Sequence, residues 1–92
     1  MSNFSVIIQD AANEIRFAKS KSEIRNTMPS RVWLQDNSAG RSFADKRFGG
    51  KSVMPLLQLP NDSYQIEGPD PSQPLKFYGE IVLAENGQIF VK

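Results

Sequence analysis

Neither cysteine nor histidine occurs among the 92 residues of this chain. Without cysteine there is no disulfide framework, no thiolate nucleophile and no zinc–thiolate site. Without histidine, the chain lacks the side chain that most often transfers protons near neutral pH and most often binds metal ions. These two absences exclude most hydrolase and metalloenzyme designs, and we expect a protein that is not an enzyme.

Long apolar runs are also missing. No stretch approaches the roughly 20 apolar residues of a transmembrane helix, and Met1-Ser2-Asn3-Phe4 lacks the basic start and apolar core of a secretion signal. We therefore expect a cytoplasmic protein without a membrane partner. A hydrophobic content of 39% is typical of a globular chain, and the length suits a single domain over residues 1–92.

Positive charge is concentrated in the middle of the chain. Nine of the eleven basic residues lie between Arg16 and Lys51, together with only three acids, so this stretch has a net charge of +6. Residues 52–92 contain two basic and five acidic residues, a net charge of −3. Such a polarised distribution indicates contact with phosphate groups or with an acidic partner.

The N-terminal part shows apolar residues at spacings of three and four. They are Phe4, Ile7, Ile8, Ala11, Ala12, Ile15 and Ala18. This spacing is typical of an amphipathic helix. The residue before a proline disfavours helical geometry, so Met28-Pro29 would end it. The sequence predicts one helix from about residue 3 to about residue 26.

The β region is expected over about residues 31–92, where the apolar spacing changes to two. The candidate strands are residues 31–36, 41–48, 53–59, 64–67, 75–84 and 89–92. The last two flank Asn86-Gly87, a pair typical of a two-residue type I′ hairpin. That turn would place Leu83 opposite Phe90.

These elements predict an α+β fold, with the N-terminal amphipathic helix packed on an antiparallel sheet of about four to six strands. The alternative is a small barrel of the OB or SH3-like kind.

No motif for catalysis or nucleotide binding is complete in this sequence. Phe48 to Ser52 is similar to part of a phosphate-binding loop, but Asp45 occupies the position of the first glycine, and Pro55 prevents the helix that must follow. Nothing indicates a pocket in which two carboxyl groups converge. The sequence therefore predicts no catalytic residue, no metal, no cofactor and no small-molecule substrate.

Candidate binding residues are the basic side chains that lie among aromatic ones. Basic groups bind phosphates, and aromatic rings stack on unpaired bases. The candidate nucleic-acid or partner contacts are Lys19, Lys21, Arg25, Arg31, Arg41, Lys46, Arg47 and Lys51. The alternative is that the charges are merely solvated and the rings are buried, as we expect for Trp33 between Val32 and Leu34.

The overall charge separates two functional interpretations. A dedicated nucleic-acid binder commonly has an isoelectric point above about 9, whereas the value here is about 8.0. A surface with both signs of charge suits a protein that contacts protein and nucleic acid together. We predict a non-enzymatic inhibitor or adaptor of a multi-subunit nucleoprotein complex. The alternative is a stand-alone single-stranded nucleic-acid-binding protein.

In size, lack of catalytic residues and bipolar charge, the chain resembles the small phage-encoded anti-CRISPR proteins, a group with no common motif. The resemblance implies an inhibitor in the host cell cytoplasm that binds Cas proteins with their guide RNA. It would block target DNA binding by an RNA-guided surveillance complex, with RNA contacts made by residues 41–51.

Overall fold

The structure is a computed structural model that describes residues 3–37, 53–68 and 77–92. Its strands and helix in chain order are β1 (Phe4–Gln9), β2 (Ile15–Phe17), α1 (Lys21–Asn26), β3 (Val32–Asp36), β4 (Val53–Pro55), β5 (Ser63–Gly68), β6 (Phe77–Leu83) and β7 (Ile89–Val91). Short 3₁₀ turns follow α1 and β4, at Pro29–Arg31 and Leu56–Gln58. The candidate strand at residues 41–48 lies outside the described residues.

One mixed sheet contains all seven of these strands. Its order is β4-β3-β1-β5-β6-β7, and β2 pairs with β1. The β1–β5 pairing is parallel, whereas every other pairing is antiparallel. In the described part of the chain, β4 and β7 do not pair with each other. The expected antiparallel sheet of four to six strands is therefore wrong, and these pairings do not form the alternative barrel.

The predicted helix from residue 3 to residue 26 is also wrong, because β1, β2 and a six-residue helix occupy this part of the chain. In β1, consecutive residues Val6, Ile7 and Ile8 are all at most 1% exposed, so both faces of the strand are covered. Branching at Cβ favours this extended conformation. Ala11 and Ala12, which were expected on the apolar helical face, are exposed in the loop after β1.

The loop between β1 and β2 reverses the chain within three residues. The Asp10 amide donates to the Glu14 carbonyl, and the Asn13 amide donates to the Asp10 carbonyl, both at 2.9 Å. Asn13 has a φ of 62°, in the left-handed region that asparagine tolerates better than most residues. The Asp10 carboxylate also accepts the amides of Ala12 and Glu14. This local pairing ends β1 and starts β2 where a helix was expected.

The β6–β7 hairpin has the same loop design, which changes its expected register. The Ala84 amide donates to the Gln88 carbonyl at 2.9 Å, so the loop has three residues instead of two. Gly87, with a φ of 83°, is its last residue. As a result Leu83 pairs with Ile89, and the expected pairing of Leu83 with Phe90 is wrong.

The core lies on the face of the sheet that α1 covers. Its buried members are Val6, Ile8, Ala18, Ile24, Val32, Leu34, Leu56, Ile66, Ile81 and Leu83. Helix α1 begins after Ser20, whose hydroxyl accepts the Glu23 amide at 3.2 Å, and it contributes Ile24 to the core. Trp33, expected in this core, lies half-buried on the opposite face, where it pairs with Ile7 and Pro55.

Candidate functional site

The eight candidate basic residues fall into two groups. Four of them, Arg41, Lys46, Arg47 and Lys51, lie outside the described residues. The other four lie in or next to α1. Lys19 precedes the helix, Lys21 and Arg25 belong to it, and Arg31 ends the 3₁₀ turn that follows it.

Lys21 and Arg25 are brought together beside the β6–β7 hairpin. They are one helical turn apart and therefore share a face of α1. The aliphatic stem of Lys21 lies over Gly79. A Cβ atom added to Gly79 would come within 2.8 Å of Lys21 Cδ. Arg25 Nε donates to the carbonyl oxygen of Val91 at 3.1 Å. Two predicted site residues thus lie beside the β6–β7 hairpin.

Lys19 and Arg31 do not join this pair. The exposed Lys19 donates its backbone amide to Glu23 Oε1 at 2.7 Å, just before the helix begins. Arg31 is half-buried and lines a different cleft of about 680 Å³, whose walls also include Asp10, Arg16 and Glu23. The structure therefore does not gather the four described candidates into one basic surface.

Arg16 belongs to the basic stretch but is neutralised by two acids. Its Nε donates to Asp10 Oδ2 at 3.1 Å, and its Nη1 donates to Glu23 Oε1 at 2.9 Å. Its Nη2 contacts the second oxygen of the Glu23 carboxylate. The side chain therefore connects β2 to α1 and adds little to any positive surface.

The pKa values of this ion-pair network reflect its hydrogen bonds. The hydrogen bond from Arg16 lowers the pKa of Glu23 and is the largest influence on it, while burial acts in the opposite direction. The amide of Glu14 is the largest influence that lowers the pKa of Asp10, and Arg16 adds to it. The hydrogen bond to Glu23 likewise raises the pKa of Arg16. All three groups are held in their charged forms, which suits a structural role.

An apolar cleft runs beside β7 and faces α1 and the segment after β4. A space of about 280 Å³ between α1 and β7 continues into one of about 130 Å³ that reaches the β6–β7 loop, and Leu56 and Ile89 line both. We call this feature the β7 cleft, and its defining residues are Ile24, Arg25, Leu56, Leu57, Ile89 and Val91. Arg25 is the one charged side chain among the described residues that line it.

Two exposed apolar side chains border the β7 cleft. Leu57 is 60% exposed and Phe90 is 46% exposed. Removing apolar surface from water is favourable. Exposed apolar side chains beside an apolar cleft are therefore typical of a surface that a partner covers. The position of Arg25 adds one positive charge to that apolar surface.

The outer face of β5 and β6 has a different character. Tyr78 is exposed there and lies opposite Glu67 on the neighbouring strand. Glu80 on the same face accepts Gln65 Nε2 at 3.0 Å and the hydroxyl of Ser63. Carboxylates beside an exposed ring would repel phosphate groups, so this face is poorly suited to a nucleic-acid strand.

Residues 3–37, 53–68 and 77–92 contain neither a cluster of metal-ligand side chains nor a membrane-spanning helix. No three side chains of the types Asp, Glu, His and Cys are grouped there to hold an ion. No helix in those ranges is both long enough and apolar enough to cross a bilayer.

The β7 cleft was not predicted from the sequence. Its walls come from α1, from the residues after Pro55 and from the C-terminal hairpin, and no spacing rule places these three segments together. The one local signal in the sequence is the apolar pair Leu56-Leu57. In the structure Leu56 is buried and Leu57 is exposed.

No known protein family, curated protein or solved structure matches this chain.

Proposed function

We propose that this chain is a non-enzymatic inhibitor or adaptor that binds a nucleoprotein complex. The observation that supports this function best is the position of Lys21 and Arg25 on one face of α1, where Arg25 lines the β7 cleft and Lys21 lies over Gly79 of β6. The cleft and its exposed apolar border suit contact with a protein. The two basic side chains suit contact with phosphate or carboxylate groups. A partner that contains both protein and nucleic acid offers both kinds of surface.

The environments of Asp10, Glu23 and Glu80 favour a role in structure or binding over one in catalysis. A general acid needs a carboxyl pKa raised towards neutrality. The pKa values of Asp10 and Glu23 are instead lowered by hydrogen bonds from backbone amides and Arg16. Glu80 accepts hydrogen bonds from two neighbouring polar side chains on an open strand face.

An RNA-guided surveillance complex is the first partner we propose, because of the resemblance to anti-CRISPR proteins in size and bipolar charge. Such a complex presents protein subunits and a guide RNA backbone side by side. Binding there would prevent the pairing of target DNA with the guide. The chain would then act in the host cell cytoplasm, with residues 41–51 as additional candidates for contact with the RNA.

The stand-alone nucleic-acid binder has less support. Tyr78 and Phe90 are the exposed aromatic rings among the described residues, and the ring of Tyr78 shares its face with Glu67 and Glu80. Their negative charge opposes the approach of a phosphate backbone.

Capture of a purified RNA-guided surveillance complex by the tagged full chain tests the proposed function. We expect stoichiometric capture at physiological ionic strength. The double variant Lys21→Gln/Arg25→Gln should bind about tenfold more weakly, since two charges next to the cleft are lost. The matched control Ala11→Glu/Ala12→Glu changes the net charge equally but at the exposed β1–β2 loop, and it should bind like the wild type.

Two results would contradict the proposed function. One is failure of the wild-type chain to capture this complex or any nucleic-acid-containing assembly from a bacterial lysate. The other is tight binding of the isolated chain to unstructured oligonucleotides with a steep dependence on salt, which would favour the stand-alone binder.

A further inference from the structure

Strand β7 lies at an edge of the sheet, and alternate residues direct their backbone groups away from β6. Glu80 and Lys92 exchange two hydrogen bonds, with N···O distances of 3.1 and 2.9 Å. Along an antiparallel strand the direction of these groups alternates from residue to residue. Ile89 and Val91 therefore direct their amides and carbonyls to the open side, where no described strand pairs with β7. Such an edge is able to accept another strand.

Arg25 makes one end of this edge rich in hydrogen-bond donors. Its Nε already donates to the Val91 carbonyl, which is the acceptor at that end. The donors that remain at that end are the Val91 amide and the two terminal guanidinium nitrogens of Arg25. No described residue accepts a hydrogen bond from either of these nitrogens of Arg25. Donors of this kind are complementary to a carboxylate. The Ile89 end retains both a donor and an acceptor.

The β7 cleft lies next to the same edge and would receive side chains of an added strand. Side chains of a strand alternate between its two faces, so every second residue would point into the cleft. Ile24, Leu56 and Val91 line it, and they favour apolar groups. A nucleic-acid strand lacks the backbone amides that would complete the ladder, so the complementary occupant is a polypeptide.

We propose that the β7 cleft binds an extended segment of a partner protein by strand addition to β7. The segment places apolar side chains at alternate positions in the cleft and an acidic side chain at Arg25. This inference rests on the proposed function, because it names the part of the partner that the chain contacts.

Peptide display tests which segment fits. Random peptides, flanked on both sides by carrier sequence so that no free carboxyl terminus is present, are selected on the immobilised full chain. We expect selected peptides to alternate apolar residues with others and to contain Asp or Glu near one end. Selected sequences without an acidic position would overturn the inference.

A selected peptide with blocked termini is then titrated into ¹⁵N-labelled full-length protein. We expect the amides of Ile89 and Val91 to shift most and to exchange more slowly with solvent. Arg25→Gln, or replacement of the acid of the peptide by its amide, should weaken binding roughly tenfold because a charge-assisted hydrogen bond is lost. The control Lys19→Gln removes a charge of the same sign from the exposed residue before α1, which does not join the pair beside the hairpin, and it should change affinity less than about twofold.

Failure here is distinguishable from failure of the proposed function. Shifts confined to the outer face around Tyr78 would overturn strand addition at β7, while capture of the nucleoprotein complex would still support the proposed function through another surface. Conversely, strand addition without capture of any nucleoprotein complex would contradict the proposed function alone.

Discussion

Gly79 marks the closest packing between β6, the end of the chain and α1. A Cβ atom at this position would collide with the carbonyl oxygen of Lys92 and approach the stem of Lys21. The first contact is with backbone, so a side-chain rotation cannot relieve it. We expect Gly79→Ala to lower the free energy of unfolding by about 1–3 kcal/mol, measured by urea denaturation. The control Gln58→Ala at an exposed position should change it by less than about 0.5 kcal/mol, and equal effects of the two substitutions would contradict this packing.

The left-handed residues of the two hairpin loops should respond in the same way to alanine. A Cβ without a compensating side-chain hydrogen bond is unfavourable at positive φ. We expect Gly87→Ala to lower the free energy of unfolding by about 1 kcal/mol, and Asn13→Ala to be less stable than Asn13→Gly by a similar amount. Chemical denaturation of the four proteins measures both differences. An Asn13→Ala chain as stable as Asn13→Gly would show that the loop does not need this conformation.

These loops also show what residue types can and cannot determine. Asn86-Gly87 between two apolar segments correctly indicated a hairpin after residue 84. The pair fits two loop lengths, however, because a type I′ turn needs positive φ at both residues whereas the observed loop needs it only at Gly87. The one-residue difference shifts every pairing between β6 and β7. The shift exposes Phe90, which a two-residue turn would have paired with the buried Leu83.

At the scale of elements, the N-terminal region explains why a strong pattern gave the wrong structure. Phe4, Ile7 and Ile8 fit helical spacing, but an apolar run buried on both faces of a strand fits equally well. What decides between them is pairing with β3 and β5, which come from later parts of the chain. Helix α1 is confined to the few residues after Ser20, whose side chain caps it.

The attachment of α1 to β2 should make stability dependent on acid pH. The pKa values of Asp10 and Glu23 in the folded state are lower than their ordinary values of about 4. Groups of this kind stabilise the fold above their unfolded pKa, and the stabilisation is lost as pH falls through the folded pKa. We expect the melting temperature to decrease as the pH falls below about 4.

Glu23→Gln isolates the contribution of this network. The variant should be less stable than the wild type at neutral pH, and its melting temperature should change less between neutral and acid pH. Thermal unfolding followed by circular dichroism at several pH values measures both effects. The control Glu85→Gln, at an exposed loop position, should keep the wild-type pH profile. A Glu23→Gln profile parallel to that of the wild type would contradict the role of the Arg16–Glu23 ion pair.

At the scale of the whole molecule, some features of the candidate site could be predicted from the sequence and others could not. Charge alone made Lys21 and Arg25 candidates for binding, and the structure places both at the C-terminal hairpin. Arg16 was counted in the charge of the basic stretch, but its neutralisation by Asp10 and Glu23 depends on a fold in which β2 and α1 are neighbours. The β7 cleft was not predictable, since segments far apart in the sequence form its walls.

Leu57 offers a test of the cleft that leaves the fold intact. Its side chain is 60% exposed, so Leu57→Asp should change the free energy of unfolding by less than about 0.5 kcal/mol. Binding of the captured complex should nevertheless weaken by about tenfold or more, because a charge would enter an apolar contact. The matched control is Met28→Asp, whose side chain is 62% exposed but lines the cleft that contains Arg31. Equal losses for both variants would mean that the β7 cleft is not the binding surface.

Hydrogen–deuterium exchange of the full chain, free and bound to an RNA-guided surveillance complex, tests the binding surface most directly. We expect exchange to slow on binding at residues 89–91 and along α1, where the open strand edge and Arg25 lie. Slower exchange confined to β5 and the outer face around Tyr78, with β7 unchanged, would contradict the account.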